Sequence, residues 1–154
     1  MRAVIQRVSR AQVRAELAQG GSHVSGFDGE GLVVLLGVTH GDTEQEARLL
    51  AEKTWRLRIL ADERSAEQAG APVLAVSQFT LYGDARKGRR PSWSRAAPAE
   101  VGEPVCRDYV WFLRELGAEV LTGVFGAAME VELVNDGPVT LILDTEELRR
   151  PRRS

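Results

Sequence analysis

Cysteine and histidine are nearly missing from this 154-residue chain, which has one of the first and two of the second. The single Cys106 excludes an intramolecular disulfide and fits a reducing compartment. His23 and His40 stand in no metal-ligand spacing, so no metal is expected. There is no G-x-S-x-G elbow, no H-E-x-x-H and no phosphate-binding P-loop. No pair of carboxylates stands at a spacing that calls for acid–base work. No apolar run approaches the ~20 residues of a membrane-spanning helix. The N-terminus lacks a basic patch followed by an apolar segment, so a cytoplasmic protein with no membrane partner is expected. An enzyme built from this chain would have to work through backbone groups, hydroxyls or the substrate itself.

What is present suits a globular protein with a core: 44% of residues are hydrophobic and 27% charged. One domain is expected at this length, over residues 1–145, with a charged, disordered tail over 146–154. Net charge is only -2, but the positive charge is concentrated. Arg86, Lys87, Arg89, Arg90 and Arg95 cluster in one stretch, and Arg149, Arg150, Arg152 and Arg153 close the chain, together nine of the 20 basic residues. These are either solvated loops or two patches that face a polyanion.

Residues 2–9 alternate like a strand, and a short strand around 12–16 follows. Residues 19–31 are rich in Gly and Ser and read as turns. The run LVVLLGV, 32–38, suits a central strand covered on both faces. Thr43 with Glu46 three residues on forms a capping-box signal for a helix over about 43–58. Residues 61–71 read as a loop and 72–81 as a strand. After a loop over 83–98, a second helix is expected over about 99–116, with Gly117 to end it. Strands follow at about 119–124, 128–134 and 139–144. This order predicts an α+β fold: a mixed, mostly antiparallel, barrel-like sheet with two main helices. Helices on one face leave the other face open, and a homodimer is the commonest way to cover it.

The candidate hydroxyls are Ser77 and Thr80 in SQFTL and Thr140 in NDGPVT. In an extended strand Gln78 and Thr80 would share one face, with Ser77 and Phe79 on the other. Asn135-Asp136-Gly137 is hairpin-turn chemistry, yet Pro138 stands where the next strand should begin to donate hydrogen bonds. A generic X-Pro bond is cis in only ~5–6% of cases, so residues alone imply trans here.

SQFTLYGDARKGRRPSW (77–93) together with GVFGAAMEVELVNDGPVT (123–140) resembles the D-aminoacyl-tRNA deacylase family. MRAVIQRVSRAQV and GLVVLLGVTHGD (31–42) look like the same family, so the likeness runs to about residue 144. The resemblance implies a cytosolic homodimer that needs no metal or organic cofactor. It would hydrolyse the ester joining a D-amino acid, or glycine, to the acceptor end of tRNA. It implies a cis Gly137-Pro138 bond that projects into the other subunit's site and crowds out an L side chain. Ser77, Gln78, Phe79 and Thr80 are implied at the reacting centre, the first three through their backbone and Thr80 as a positioning group. The 2′-hydroxyl of the terminal ribose would assist water attack. Phe125, Met129, Asn135 and Thr140 are expected to contact substrate. The loop residues Arg86, Lys87, Arg89 and Arg90 are expected on acceptor-stem phosphates. The chain departs from the family in a shorter segment, ADERSAEQAGA (61–71), and in Trp93 where Phe is common. Two other readings stay open on this fold: an editing site for L-seryl- or L-alanyl-tRNA, and a non-catalytic RNA-binding dimer.

Overall fold

The computed structural model describes residues 1–153. Its five strands are β1 (Arg2–Glu16), β2 (Ser22–Gly37), β3 (Val73–Ser77), β4 (Val120–Thr122) and β5 (Met129–Asp144). Its helices are α1 (Glu44–Arg56), α2 (Ala66–Ala69), α3 (Ala99–Glu115) and α4 (Thr145–Arg149). The strands form one mixed sheet in the order β4-β3-β2-β1-β5. β1 pairs antiparallel with β2 and β5, while β2–β3 and β3–β4 are parallel. The α+β class expected from the sequence is therefore what forms.

Two parallel pairings need two crossovers, and α1 and α3 supply them on one face of the sheet. Thr43 caps α1 as its spacing predicts, accepting from the Gln45 N–H at 3.2 Å while its own N–H donates to Glu46 at 2.6 Å. Leu50, Ala51 and Trp55 of α1 and Val105, Tyr109 and Leu113 of α3 bury against Ile5, Leu32, Val34 and Val73. Where the helices meet, the Tyr109 hydroxyl donates to Thr54 Oγ1 at 3.0 Å, and Thr54 donates on to Leu50 O at 2.8 Å. Both hydroxyls are buried, so this relay removes two otherwise costly orphans.

A second cluster lies on the opposite face: Val8, Val13, Val33, Leu74 and Val76, with Leu121, Met129 and Leu133 against it. Its members come from both edge strands as well as the centre, so the sheet must coil until the start of β5 comes over β3 and β4. Glycine permits this coil at close approaches: a Cβ on Gly123 would lie 2.5 Å from Met129 Sδ. The stretch 19–31, expected as turns, is mostly strand. Only residues around 17–21 turn, and β2 continues through Gly26, where a Cβ would run into the Ala11 backbone. The two short strands expected over 2–16 are likewise one continuous β1.

The tail differs from expectation at its start. Residues Thr145–Arg149 form a helical turn capped by the Asp144 side chain on the Glu146 N–H. Arg149 then reaches back to Glu46 at 2.6 Å. Residues 150–153 have no regular structure, and Ser154 lies outside the described residues. Burial pushes the Glu46 carboxyl up, but hydrogen bonds from the Thr43 N–H, the Thr43 hydroxyl and Arg149 outweigh it, bringing it from 4.5 to about 2. A carboxyl held lower in the folded chain stabilises the fold above its unfolded value and gives that up as pH falls through the folded one. Thermal unfolding of wild type and Glu46→Gln should therefore differ most above pH ~5 and converge near pH ~2.

Candidate active site

β3 ends at Ser77, in parallel register with Leu36. The Gln78 N–H makes the last bond of this ladder, to Leu36 O at 2.6 Å. The chain then breaks from strand geometry into a 3-10 turn over Phe79–Tyr82. The strand expected to continue to 81 stops here because Tyr82 must be buried. Its ring and Leu81 close over Gly37, where a Cβ would meet them at 3.2 and 2.9 Å. Gln78 and Thr80 are thus neighbours across a turn rather than along a strand. The Gln78 side-chain amide donates to the Thr80 hydroxyl.

The turn leaves two donors without a backbone partner. Its first internal bond runs from the Leu81 N–H to Gln78 O, so the N–H groups of Phe79 and Thr80 precede it and have no backbone acceptor among the described residues. Phe79 is more than half exposed and packs edge-to-face on Trp93, ring centres 5.5 Å apart. Ser77, Gln78 and Phe79 form one wall of a pocket of about 260 Å³, and Phe125, Met129 and Val131 form the other. The coil of the sheet brings these walls together. Five of the expected site residues meet here, and no titratable side chain lines the pocket.

Asn135, Gly137, Pro138 and Thr140 lie elsewhere. The expected hairpin turn at NDGPVT is not one: both flanks pair with the same strand, Asn135 with Val8 and Thr140 with Gln6. Asp136–Val139 therefore bulge out of β5 opposite Arg7 alone. The Asn135 side-chain amide closes the bulge by donating to Arg7 O at 3.0 Å and Val139 O at 2.9 Å. Thr140 accepts from the Gln6 amide and donates to Asn135 Oδ1, both at 3.3 Å. Arg7 braces the outer side, its guanidinium donating to Asp136 O at 3.1 Å and Ile59 O at 3.3 Å. Local turn chemistry gave no sign of Arg7; only the pairing of β5 with β1 reveals it. Gly137 has φ +119°, the Gly137–Pro138 peptide is cis, and both residues are exposed.

The basic loop is pinched at its base by two Asp84–Ser92 backbone bonds of 2.8 Å. Arg86 is forked onto Asp84 at 2.9 and 2.7 Å. The Arg86 hydrogen bonds hold that carboxyl down at about 2. Lys87, Arg89 and Arg90 are exposed and carry no ion pair among the described residues. His23 and His40 spend ring nitrogens on Thr122 O and Ser94 O. Burial, with Glu103 nearby, pushes the Cys106 thiol up to about 12, which removes it as a thiolate nucleophile.

The chain is similar to known proteins over nearly its whole length. The D-Tyr-tRNA(Tyr) deacylase family profile matches residues 4–144. The D-aminoacyl-tRNA deacylase of Mycolicibacterium paratuberculosis is 59% identical over 94% of this chain and 99% of that protein. The one from Streptomyces avermitilis is 56% identical with the same coverage. Among solved structures, the c-Myc DNA Unwinding Element Binding Protein superposes with a TM-score of 0.79 at 37% identity, over 94% of this chain and 98% of that one. A structure described as "a probable eukaryotic D-amino acid tRNA deacylase" has a TM-score of 0.76 over 92% and 97%, and at 16% identity it speaks for the fold alone. With matching fold, matching motifs and a match from residue 4 to residue 144, this chain belongs to the D-Tyr-tRNA(Tyr) deacylase family.

Proposed function

We propose that this chain hydrolyses the ester linking a D-amino acid, or glycine, to the terminal adenosine of tRNA, acting as a homodimer. Family membership gives the reaction class. The observation that carries the mechanism is a pocket with no titratable side chain, beside two unused backbone N–H groups. Ester hydrolysis develops negative charge on the carbonyl oxygen. The N–H groups of Phe79 and Thr80 suit that oxyanion, and such donors contribute about 3 kcal/mol each. Gln78 holds the Thr80 hydroxyl, which orients the substrate and does not attack. The proton acceptor is the 2′-hydroxyl of the substrate ribose, which takes the attacking water's proton as it gives its own to the departing 3′-oxygen. Phe125 and Met129 flank the terminal adenine.

Stereoselection is assigned to the Gly137–Pro138 corner, reaching into the pocket of the other subunit. At ~3.3 Å per residue, Gly137 lies about 20 Å along β5 from Val131 on the pocket rim, so the corner does not serve its own pocket. The β5 edge supports dimerisation. It is 16 residues long, ends the sheet, and exposes Val131, Val134 and Ile142, the last at 75%. Such an edge is a template for a second chain. In the dimer, main-chain oxygens at the corner occupy the space of an L side chain. A D side chain points out, and glycine passes because it has none. Asn135 and Thr140 serve this filter by bracing the bulge.

Side-by-side hydrolysis of D-tyrosyl-, L-tyrosyl-, glycyl-, L-alanyl- and L-seryl-tRNA tests the reading. Only the D ester, with glycyl-tRNA, should be cleaved; equal rates on both hands of tyrosine would overturn it. Lys87, Arg89 and Arg90 are assigned to acceptor-stem phosphates, with Arg86 weakened by its bond to Asp84. Each of Lys87→Ala, Arg89→Ala and Arg90→Ala should flatten the plot of log affinity against log salt by ~0.7–0.9, whereas Arg86→Ala changes it less.

A further inference from the structure

A second cleft, about 270 Å³, lies between α3 and β4 and shares Ser77 and Phe125 with the reaction pocket. The two hollows are therefore neighbours on opposite sides of one wall. Their linings differ in kind. The reaction pocket has no charge, while the second cleft presents Glu103, Arg107 and Arg114 from α3 and Thr122 from β4. Arg107 and Arg114 sit two helical turns apart, ~10 Å along one face of α3. Glu103 and Arg107 stand at i and i+4 in the favourable order for an ion pair. Neither is in an ion pair or side-chain hydrogen bond among the described residues, although ten such pairs form elsewhere. Arg114 spends one N–H on Val120 O at 2.9 Å, which holds it at the cleft rim, and its other donors have no partner among the described residues.

The polar part of the lining, two arginines, one carboxylate and the hydroxyls of Ser77 and Thr122, matches a nucleotide better than an amino acid side chain or a lipid. Arginine forks suit phosphate oxygens. A carboxylate repels phosphate but accepts from an exocyclic base amine, the pairing of Glu with cytosine N4. Every tRNA ends in cytidine-cytidine-adenosine, so the nucleotide next to the reacting adenosine carries that amine. The volume is at the small end for ligand pockets, ~300 Å³, room for one nucleoside.

We propose that this cleft holds the penultimate cytidine of the acceptor end, with Glu103 on its N4 amine and Arg107 and Arg114 on the flanking phosphates. This rests on the deacylase reading above and adds a subsite to it. The subsite explains how a pocket without charge grips a polyanion at the right register. It draws the strand along α3 so that the terminal ester falls at Phe79 and Thr80.

The test compares two substrates: D-tyrosyl-adenosine, which ends before the cleft, and a D-tyrosyl minihelix with a natural end. Arg107→Ala should raise KM for the minihelix about tenfold with kcat within about twofold, and leave D-tyrosyl-adenosine unchanged. Arg107 is exposed and unbonded, so this variant folds; Arg114→Gln is the second variant. A minihelix with uridine in place of the penultimate cytidine should bind wild type about tenfold more weakly, and Glu103→Gln should erase that preference. Equal loss on both substrates, or no loss on either, overturns the subsite while the deacylase reading stands. If wild type cleaves neither substrate, it is the deacylase reading that fails.

Discussion

Gly137→Ala is expected to cut the preference for D- over L-tyrosyl-tRNA at least tenfold while the protein stays folded. At φ +119° an L residue is strained whatever the space around it. Here the space is also taken. A Cβ would stand 2.6 Å from Arg7 Nη2 and 3.0 Å from Val139 Cγ2. Arg7 cannot simply swing aside, because it is bonded to Asp136 O and to Ile59 O. The corner itself must move. A filter that works by excluding one hand of an α-carbon tolerates a displacement of only ~0.5 Å. The cost to the fold is small because Gly137 and Pro138 are exposed and no core contact is lost. Initial rates on both esters, with a melting curve as control, give the answer. An unchanged ratio of rates would remove the corner from stereoselection.

If the corner acts in the other subunit, separating the subunits must abolish selectivity, while the reacting groups of each pocket stay within one chain. Ile142→Glu places a charge on the most exposed apolar side chain of β5, on the face opposite Leu143, which packs into the core. Sedimentation should show a monomer, and that monomer should cleave D- and L-tyrosyl-tRNA at similar rates. A monomer that still discriminates would place the filter within one chain.

How far the sequence could be read depended on the range of the interactions involved. α1 was legible because its signals are local: an apolar stripe and the Thr43–Glu46 box, both realised. The same box chemistry at Ser65 and Gln68 caps α2 inside a stretch expected to be only loop. The 3-10 turn at Phe79–Tyr82 was hidden, since FTLY has strand composition and is bent by burial of Tyr82 under Gly37. NDGPVT was misread as a hairpin because two-residue turns and bulges use the same residues. What separates them is that both flanks pair with β1, a contact more than 120 residues away in sequence. The pocket residues Ser77, Gln78, Phe79, Phe125 and Met129 came from family likeness, and the coil of the sheet gives the physical reason they meet.

A D-tyrosyl-tRNA whose terminal ribose lacks its 2′-hydroxyl should be hydrolysed ~10²–10⁴ times more slowly, the usual range for losing a proton-transfer group. The reason is elimination by position. Water attack on an ester needs somewhere for a proton to go. The pocket offers Ser77, Gln78, two phenylalanines and a methionine, none of which takes a proton near neutral pH. Thr80 has no base to activate it, and its hydroxyl is already an acceptor for the Gln78 amide. Cys106 lies in the neighbouring cleft with its thiol held up at about 12. On the proposed reading the substrate's own hydroxyl, vicinal to the ester, takes that part. Thr80→Ala should therefore cost less than about tenfold on the natural substrate, the loss expected of a group that orients. For the same reason kcat should rise with pH without the bell shape that a pair of enzyme acid and base groups would impose. Single-turnover rates on the two substrates, with wild type and Thr80→Ala, separate the possibilities. A dead Thr80→Ala variant, together with normal turnover of the deoxy substrate, would make threonine the nucleophile and leave the ribose a bystander.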